Sequence, residues 1–118
     1  MVLEVILDVF SGRRNPTWIV EGVKAEELMN RLLRLPTLAG EVSPPPPSLG
    51  YRGMRMEIRQ RDEGEEWAGP YEIYAGLVKD RTTLRKDDSR SFERSLLASA
   101  GLAIEPHLKK EILDELDC

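Results

Sequence analysis

The first ten residues constrain the fold most, because their side chains alternate between two faces. The odd-numbered positions within 2–10 are all apolar: Leu3, Val5, Leu7 and Val9. This period of two predicts a β-strand that covers a core with one of its faces. Turn-forming residues break the pattern over 11–16, and β-favouring residues resume over 17–20. We therefore expect the chain to begin with an antiparallel hairpin that has a wide loop.

The remaining pattern predicts an α+β domain that spans 1–118. Helices are expected over 24–35, over 88–100 and from Pro106 onwards, and two further strands over 51–60 and 71–79. The order is then ββαββαα. Because hairpin-linked strands pair antiparallel, we expect a two-layer sandwich: a four-stranded, mainly antiparallel sheet with helices packed on one face.

A proline-rich connection, 36–48, is expected between the first helix and the third strand. Four consecutive prolines end the segment, and such a run forms a stiff, extended link that contributes little to a core.

Composition excludes several classes of function. The 118 residues carry a formal net charge of −4, which disfavours general attraction to nucleic acid. No apolar run approaches the ~18 residues that a membrane span needs, and two carboxylates interrupt the first apolar stretch, so neither a membrane span nor a secretory signal is expected. One cysteine and one histidine cannot make an internal disulfide or a zinc cage. With no phosphate-binding or dinucleotide motif either, we expect a cytoplasmic protein without metal or cofactor.

The loop of the first hairpin is a candidate ligand site. Its guanidinium groups could hold a carboxylate or phosphate, beside an amide and an apolar wall, in a site formed by Arg13, Arg14, Asn15 and Trp18. The alternative is a plain connection in which the arginines are solvated and Trp18 covers the sheet.

The same loop carries a resemblance. Residues 10–18 read F-S-G-R-R-N-P-T-W, which resembles the F-S-G-R-x-N-P-x-W motif near the start of a family of small, uncharacterised bacterial proteins. Residues 49–53 and 90–97 are similar to that family as well. The resemblance implies kinship without an activity. Arg14 departs from the family pattern, in which proline is usual, so a rigid loop is not implied there.

The outer face of the sheet is the candidate interaction surface. If the odd positions of the first strand face the helices, the other face gathers apolar and charged residues together: Ile6, Phe10, Trp18, Arg55, Arg59, Tyr74 and Val78. Apolar residues ringed by charges are typical of an interface. Alternatively, the last helix or the proline-rich segment covers this face, or its apolar residues are simply scattered.

These observations favour a non-enzymatic binding or accessory module that forms a homodimer or docks a larger protein. No nucleophile, base and orienting group form a recognisable set, and His107 by itself is typical of a surface residue. The alternative is a protein or enzyme that binds a small anion at Arg13 and Arg14. A third option is a protein substrate modified at its accessible terminal thiol, Cys118.

Overall fold

The computed structural model describes residues 1–9, 14–39, 51–60 and 69–116. Within these ranges, seven strands form one sheet: β1 (Val2–Leu7), β2 (Thr17–Glu21), β3 (Thr37–Leu38), β4 (Met54–Gln60), β5 (Tyr71–Tyr74), β6 (Leu77–Lys79) and β7 (Leu84–Lys86). Three α-helices accompany them in this part of the chain: α1 (Gly22–Arg34), α2 (Ser91–Ala98) and α3 (Pro106–Leu116).

The α+β class and the antiparallel sheet are confirmed, but the predicted number of four strands is wrong. The sheet order is β2-β1-β4-β5-β6-β7-β3, and every neighbouring pair is antiparallel. The strand predicted over 71–79 is a hairpin, because Ala75 and Gly76 both adopt positive φ angles, of 54° and 82°. Two successive residues of this kind make the tight turn that suits the twist of a β-hairpin.

Two further strands lie where connections were predicted. β7 falls in the stretch between the hairpin and α2, and β3 begins directly after Pro36, within the expected proline-rich segment. Both are short, and they pair with each other at one edge of the sheet. The four prolines themselves lie outside the described residues.

The helices cover one face of the sheet with their apolar stripes. The buried residues of α1 are Ala25, Leu28, Met29 and Leu32, as its period predicts. α2 begins where the Asp87 carboxylate accepts hydrogen bonds from the backbone amides of Phe92 and Glu93, at 2.8 and 3.0 Å. These amides have no partner within the helix, so the carboxylate stabilises its first turn. No helix in the described ranges is both long and apolar enough to span a membrane.

Strand register corrects the predicted position of Trp18. Val5 lies directly opposite Trp18 on one side and Met56 on the other, and residues opposite each other share a face. Trp18 is therefore on the helix-covered face, with only 6% of its surface exposed. The parity of one strand does not carry across a loop of unknown register, which is why the sequence pattern misplaced it.

The predicted position of Val78 on the outer face is also wrong, because the prediction missed the hairpin between β5 and β6. Val78 pairs with Ile73 and is fully buried on the helix side, because the two-residue turn resets the alternation that a single long strand would have kept. Leu77 thereby moves to the outer face. Phe10, which was also predicted there, lies outside the described residues.

Candidate functional site

One row of side chains runs across all seven strands on the face that the helices leave uncovered. Each member lies directly opposite the next, in the order Thr17, Ile6, Arg55, Glu72, Lys79, Leu84 and Leu38. We call these seven residues the central row. Tyr74 and Leu77 form a second, shorter row beside it. Apolar residues thus lie on both sides of the three charges in the middle of the central row.

A groove of about 600 Å³ lies along this uncovered face. Four half-buried apolar side chains line it: Ile6, Tyr74, Leu77 and Leu84. The exposed side chains of Arg55, Glu72 and Lys79 line it as well. A sheet face turned to water normally carries polar residues at nearly every outward position. This groove instead combines an apolar lining with a few charges, a combination that is common at binding surfaces.

The charges in the groove differ in how far they are already engaged. Among the described residues, neither Glu72 nor Lys79 forms an ion pair or a side-chain hydrogen bond, although they lie opposite each other. Arg55 donates from Nε to Glu57 Oε1 at 3.1 Å. The middle of the central row therefore presents one anion, Glu72, beside one cation, Lys79. We call these two charges uncommitted, because neither forms an ion pair or a side-chain hydrogen bond with the described residues.

Arg59, predicted at the interface, lies beyond the groove in an exposed ion-pair cluster. Its guanidinium contacts Glu4 on β1 and Glu57 on its own strand. The hydrogen bond and the charge of Glu4 raise the pKa of Arg59. Exposed pairs of this kind contribute little to stability, so the cluster mainly makes this part of the face polar.

Arg52 and Asp8 close one end of the groove. The Nε and Nη2 atoms of Arg52 donate to Asp8 Oδ1 at 3.1 and 2.9 Å, and the Arg52 amide donates to the Asp8 carbonyl oxygen at 2.8 Å. The next residue, Gly53, accepts a hydrogen bond from the Asp8 amide at 2.9 Å and adopts a φ of 101°. A Cβ there would lie 2.6 Å from the Ile73 carbonyl oxygen. Only glycine fits this close approach, which lets the Tyr74 side chain lie against the backbone just before β4.

A buried polar cluster supports the Tyr74 side of the groove. Glu93 is fully buried, accepts two hydrogen bonds from Arg90 at 2.8 Å each, and accepts another from the Tyr51 hydroxyl. Arg90 also lies 5.4 Å from the centre of the Tyr74 ring, which meets the Tyr51 ring edge to face. Burial, followed by the charge of Glu93, raises the pKa of Tyr51 strongly.

Sequence reasoning missed this cluster, although one signal pointed to it. Glu93 lies four residues before Leu97 and three before Leu96, which places it on the apolar stripe of α2. A carboxylate at a buried position requires a paired cation and hydrogen-bond donors. Arg90, one turn earlier, is the cation that this spacing predicts.

A second buried carboxylate holds β6 and β7 together. Asp80 Oδ1 accepts from the backbone amides of Thr82 and Thr83 at 2.8 and 2.7 Å, and Oδ2 accepts from Arg85 at 3.1 Å. Burial alone would raise the pKa of Asp80, but these three interactions outweigh it and the pKa is lowered. The pair lies on the helix-covered side of the sheet, away from the groove.

The four residues of the predicted anion loop do not form one site. Asn15 Oδ1 accepts from the Val9 amide at 3.1 Å, so its side chain holds the loop, and Trp18 is buried under α2 instead of forming a wall. Arg13 lies outside the described residues. Arg14 is exposed and lines a shallow cleft of about 630 Å³ with His107, Glu105 and Glu111.

That cleft does not favour an anion. His107 Nε2 lies 3.1 Å from Glu111 Oε1, and two carboxylates accompany the single guanidinium. Cys118 lies outside the described residues. No group of three or more potential metal ligands occurs in the described ranges. Comparisons with family models, curated proteins and solved structures gave no significant match to this chain.

Proposed function

We propose that this protein is a non-enzymatic binding module that docks a protein through the uncovered face of its sheet. The observation that carries the proposal is the groove itself, where four half-buried apolar side chains surround two uncommitted charges. Apolar contacts supply the driving force for such docking, and unpaired charges supply specificity.

The pattern fits a protein surface better than a small anion. Glu72 lies between Arg55 and Lys79, so the positive charges of the groove do not form a continuous anion site. The apolar residues are spread over several strands instead of lining one deep pocket. A partner with its own apolar residues and charges of both signs would satisfy the whole face.

Site-specific photo-crosslinking in cells tests this proposal. The photoreactive residue benzoylphenylalanine is placed at Leu77, in the groove, and in a control at Leu102, which is fully exposed outside the sheet. The proposal predicts a discrete protein adduct from position 77 that is absent from position 102. If position 77 gives no more adduct than position 102, the uncovered face is not a docking surface.

A further inference from the structure

We propose that the partner is a second copy of this chain, packed face to face. The two copies are related by a two-fold axis that lies midway between the two sheets, parallel to the strands and above the gap between β5 and β6. The inference rests on the proposed function, because it names the occupant of the same surface. Two sheets stacked in this way lie about 10 Å apart with their strands roughly aligned.

The register of the sheet makes this arrangement self-complementary. A two-fold axis between β5 and β6 places every strand except the edge strand β2 against the strand at the same distance on the other side of the axis. Glu72 then meets Lys79 of the second copy, and Lys79 meets its Glu72. Both uncommitted charges of the groove thereby gain a partner of opposite sign, and the two-fold symmetry gives two such ion pairs per dimer.

The apolar residues match under the same operation. Tyr74 on β5 meets Leu77 of the second copy on β6, and Ile6 on β1 meets Leu38 on β3, because β1 and β3 lie equally far from the axis. Arg55 meets Leu84, over which its aliphatic stem can pack. The half-buried lining of each groove is thus covered by apolar atoms of the other copy.

Neighbouring axes do not give this match. An axis one strand over, between β4 and β5, also pairs opposite charges, Arg55 with Glu72, but it places Lys79 against Ile6 of the second copy. An axis perpendicular to the strands and passing through the central row places Glu72 against Glu72. The position between β5 and β6 pairs opposite charges and apolar residues at once.

The charge balance of the face also favours a second copy. The outward residues of the strands include four carboxylates and four cations: Glu4, Glu21, Glu57 and Glu72, and Arg55, Arg59, Lys79 and Lys86. A strongly charged partner of one sign would find as much repulsion as attraction. The six strands that overlap contain 25 residues. At ~3.3 Å rise and ~4.8 Å spacing they cover a flat area of about 400 Å² per copy, which is in the size range of a weak, reversible dimer.

Charge reversal followed by mixing tests the proposal. In Glu72→Lys alone, both symmetric contacts become Lys against Lys, and in Lys79→Glu alone both become Glu against Glu. We expect each variant to dimerise at least about tenfold more weakly than the wild type in sedimentation velocity. Mixing the two variants restores opposite charges at both contacts, so the mixture regains wild-type affinity.

Mixing separates contacts between chains from those within one chain. Each variant keeps its own like-charge pair across β5 and β6, whether it is alone or mixed, so an effect within the chain cannot be rescued by mixing. Glu26→Lys on α1 and Lys110→Glu on α3 are matched reversals at exposed helical positions, and both are expected to leave dimerisation unchanged. If charge reversal prevents folding, the neutral variants Glu72→Gln and Lys79→Gln replace it. Each is expected to weaken dimerisation about threefold, and an unchanged dimer affinity would overturn the proposal.

A wild type that stays monomeric, or a mixture that fails to regain affinity, overturns the second copy as partner. The crosslinking result then decides the proposed function separately. An adduct from position 77 with a mass other than that of two chains would keep the docking face and replace its occupant. The absence of any adduct would reject both.

Discussion

The indole nitrogen of Trp18 donates a hydrogen bond to the Ser99 hydroxyl oxygen at 2.9 Å. Ser99 in turn donates to the carbonyl oxygen of Leu96, so the edge strand β2 is fastened to the last turn of α2. This contact places the largest side chain of β2 in the core. It also leaves the uncovered face to smaller residues.

Trp18→Asp is therefore expected to unfold the protein instead of dissociating a complex. Burying a carboxylate in place of the indole removes core packing and leaves a charge without a partner, a loss of about 4 kcal/mol or more in the free energy of unfolding. Ile19→Asp is the matched control, because the neighbouring side chain is 52% exposed on the other face. Urea unfolding of Ile19→Asp is expected to show a loss of less than about 1 kcal/mol in the free energy of unfolding. Equal costs for the two variants would contradict the assigned faces.

Gly53→Ala is expected to destabilise the protein by about 3 kcal/mol or more, because the backbone is left-handed there and the added Cβ meets a backbone carbonyl. Gly22 is the control. It also has a positive φ, of 68°, but a Cβ there meets nothing within 4 Å. Gly22→Ala is therefore expected to cost only about 1 kcal/mol. Thermal unfolding measures the loss of stability in both variants. Similar losses would show that Gly53 does not lie close to the Ile73 carbonyl of β5.

Tyr51→Phe is expected to lower the free energy of unfolding by about 1–2 kcal/mol at neutral pH, because Glu93 loses one hydrogen-bond donor. The pKa of Tyr51 is raised in the folded state, so above its ordinary value of 10.0 only the unfolded chain releases the proton. Stability contributed by the neutral phenol is therefore present below pH 10 and declines as the pH rises further.

Urea unfolding at increasing pH checks that sign. Above pH ~10, the wild type should lose about 1.4 kcal/mol per pH unit more than Tyr51→Phe does, which corresponds to one proton. Parallel curves for the two proteins would show that the phenol ionises equally in both states.

Asp80 is expected to contribute stability that is lost in acid. Its pKa is lowered in the folded state, so the contribution is present above the ordinary value of 3.8 and disappears as the pH falls towards the folded-state pKa. Asp80→Asn should cost about 2 kcal/mol at neutral pH and should flatten the decline below pH 4. Asp88→Asn, at an exposed carboxylate paired with Lys86 at 3.3 Å, is the control and should change stability by less than about 0.5 kcal/mol. An acid decline unaffected by Asp80→Asn would contradict the assignment.

The sequence predicted the elements of this fold better than their relative register. The period of α1 identified its buried stripe, and the alternation of β1 identified its core face, because each pattern lies within one element. The position of Trp18 depends instead on which residue of β1 it opposes, and that is set by the loop between them. Only the pairing of Val5 with Trp18 supplies this information.

The candidate site was predicted in part, for the same reason. Ile6, Arg55 and Tyr74 lie on the uncovered face as expected, since their positions follow from the parity of their own strands. Leu77, Lys79 and Leu84 reach the groove only because two residues with positive φ turn the chain at Ala75 and Gly76. Alanine rarely adopts that conformation, so the turn was not evident from residue types.

The oligomeric state of the wild type tests the central claim most directly. Size-exclusion chromatography with light scattering, over a range of concentrations, should show the mass rising from 13.4 kDa towards twice that value. Leu77→Asp, in the groove, should stay at the monomer mass while keeping its circular dichroism spectrum, and Leu102→Asp should dimerise as the wild type does. A wild type that remains monomeric at the highest concentration, or a Leu77→Asp variant that dimerises equally well, would contradict the account.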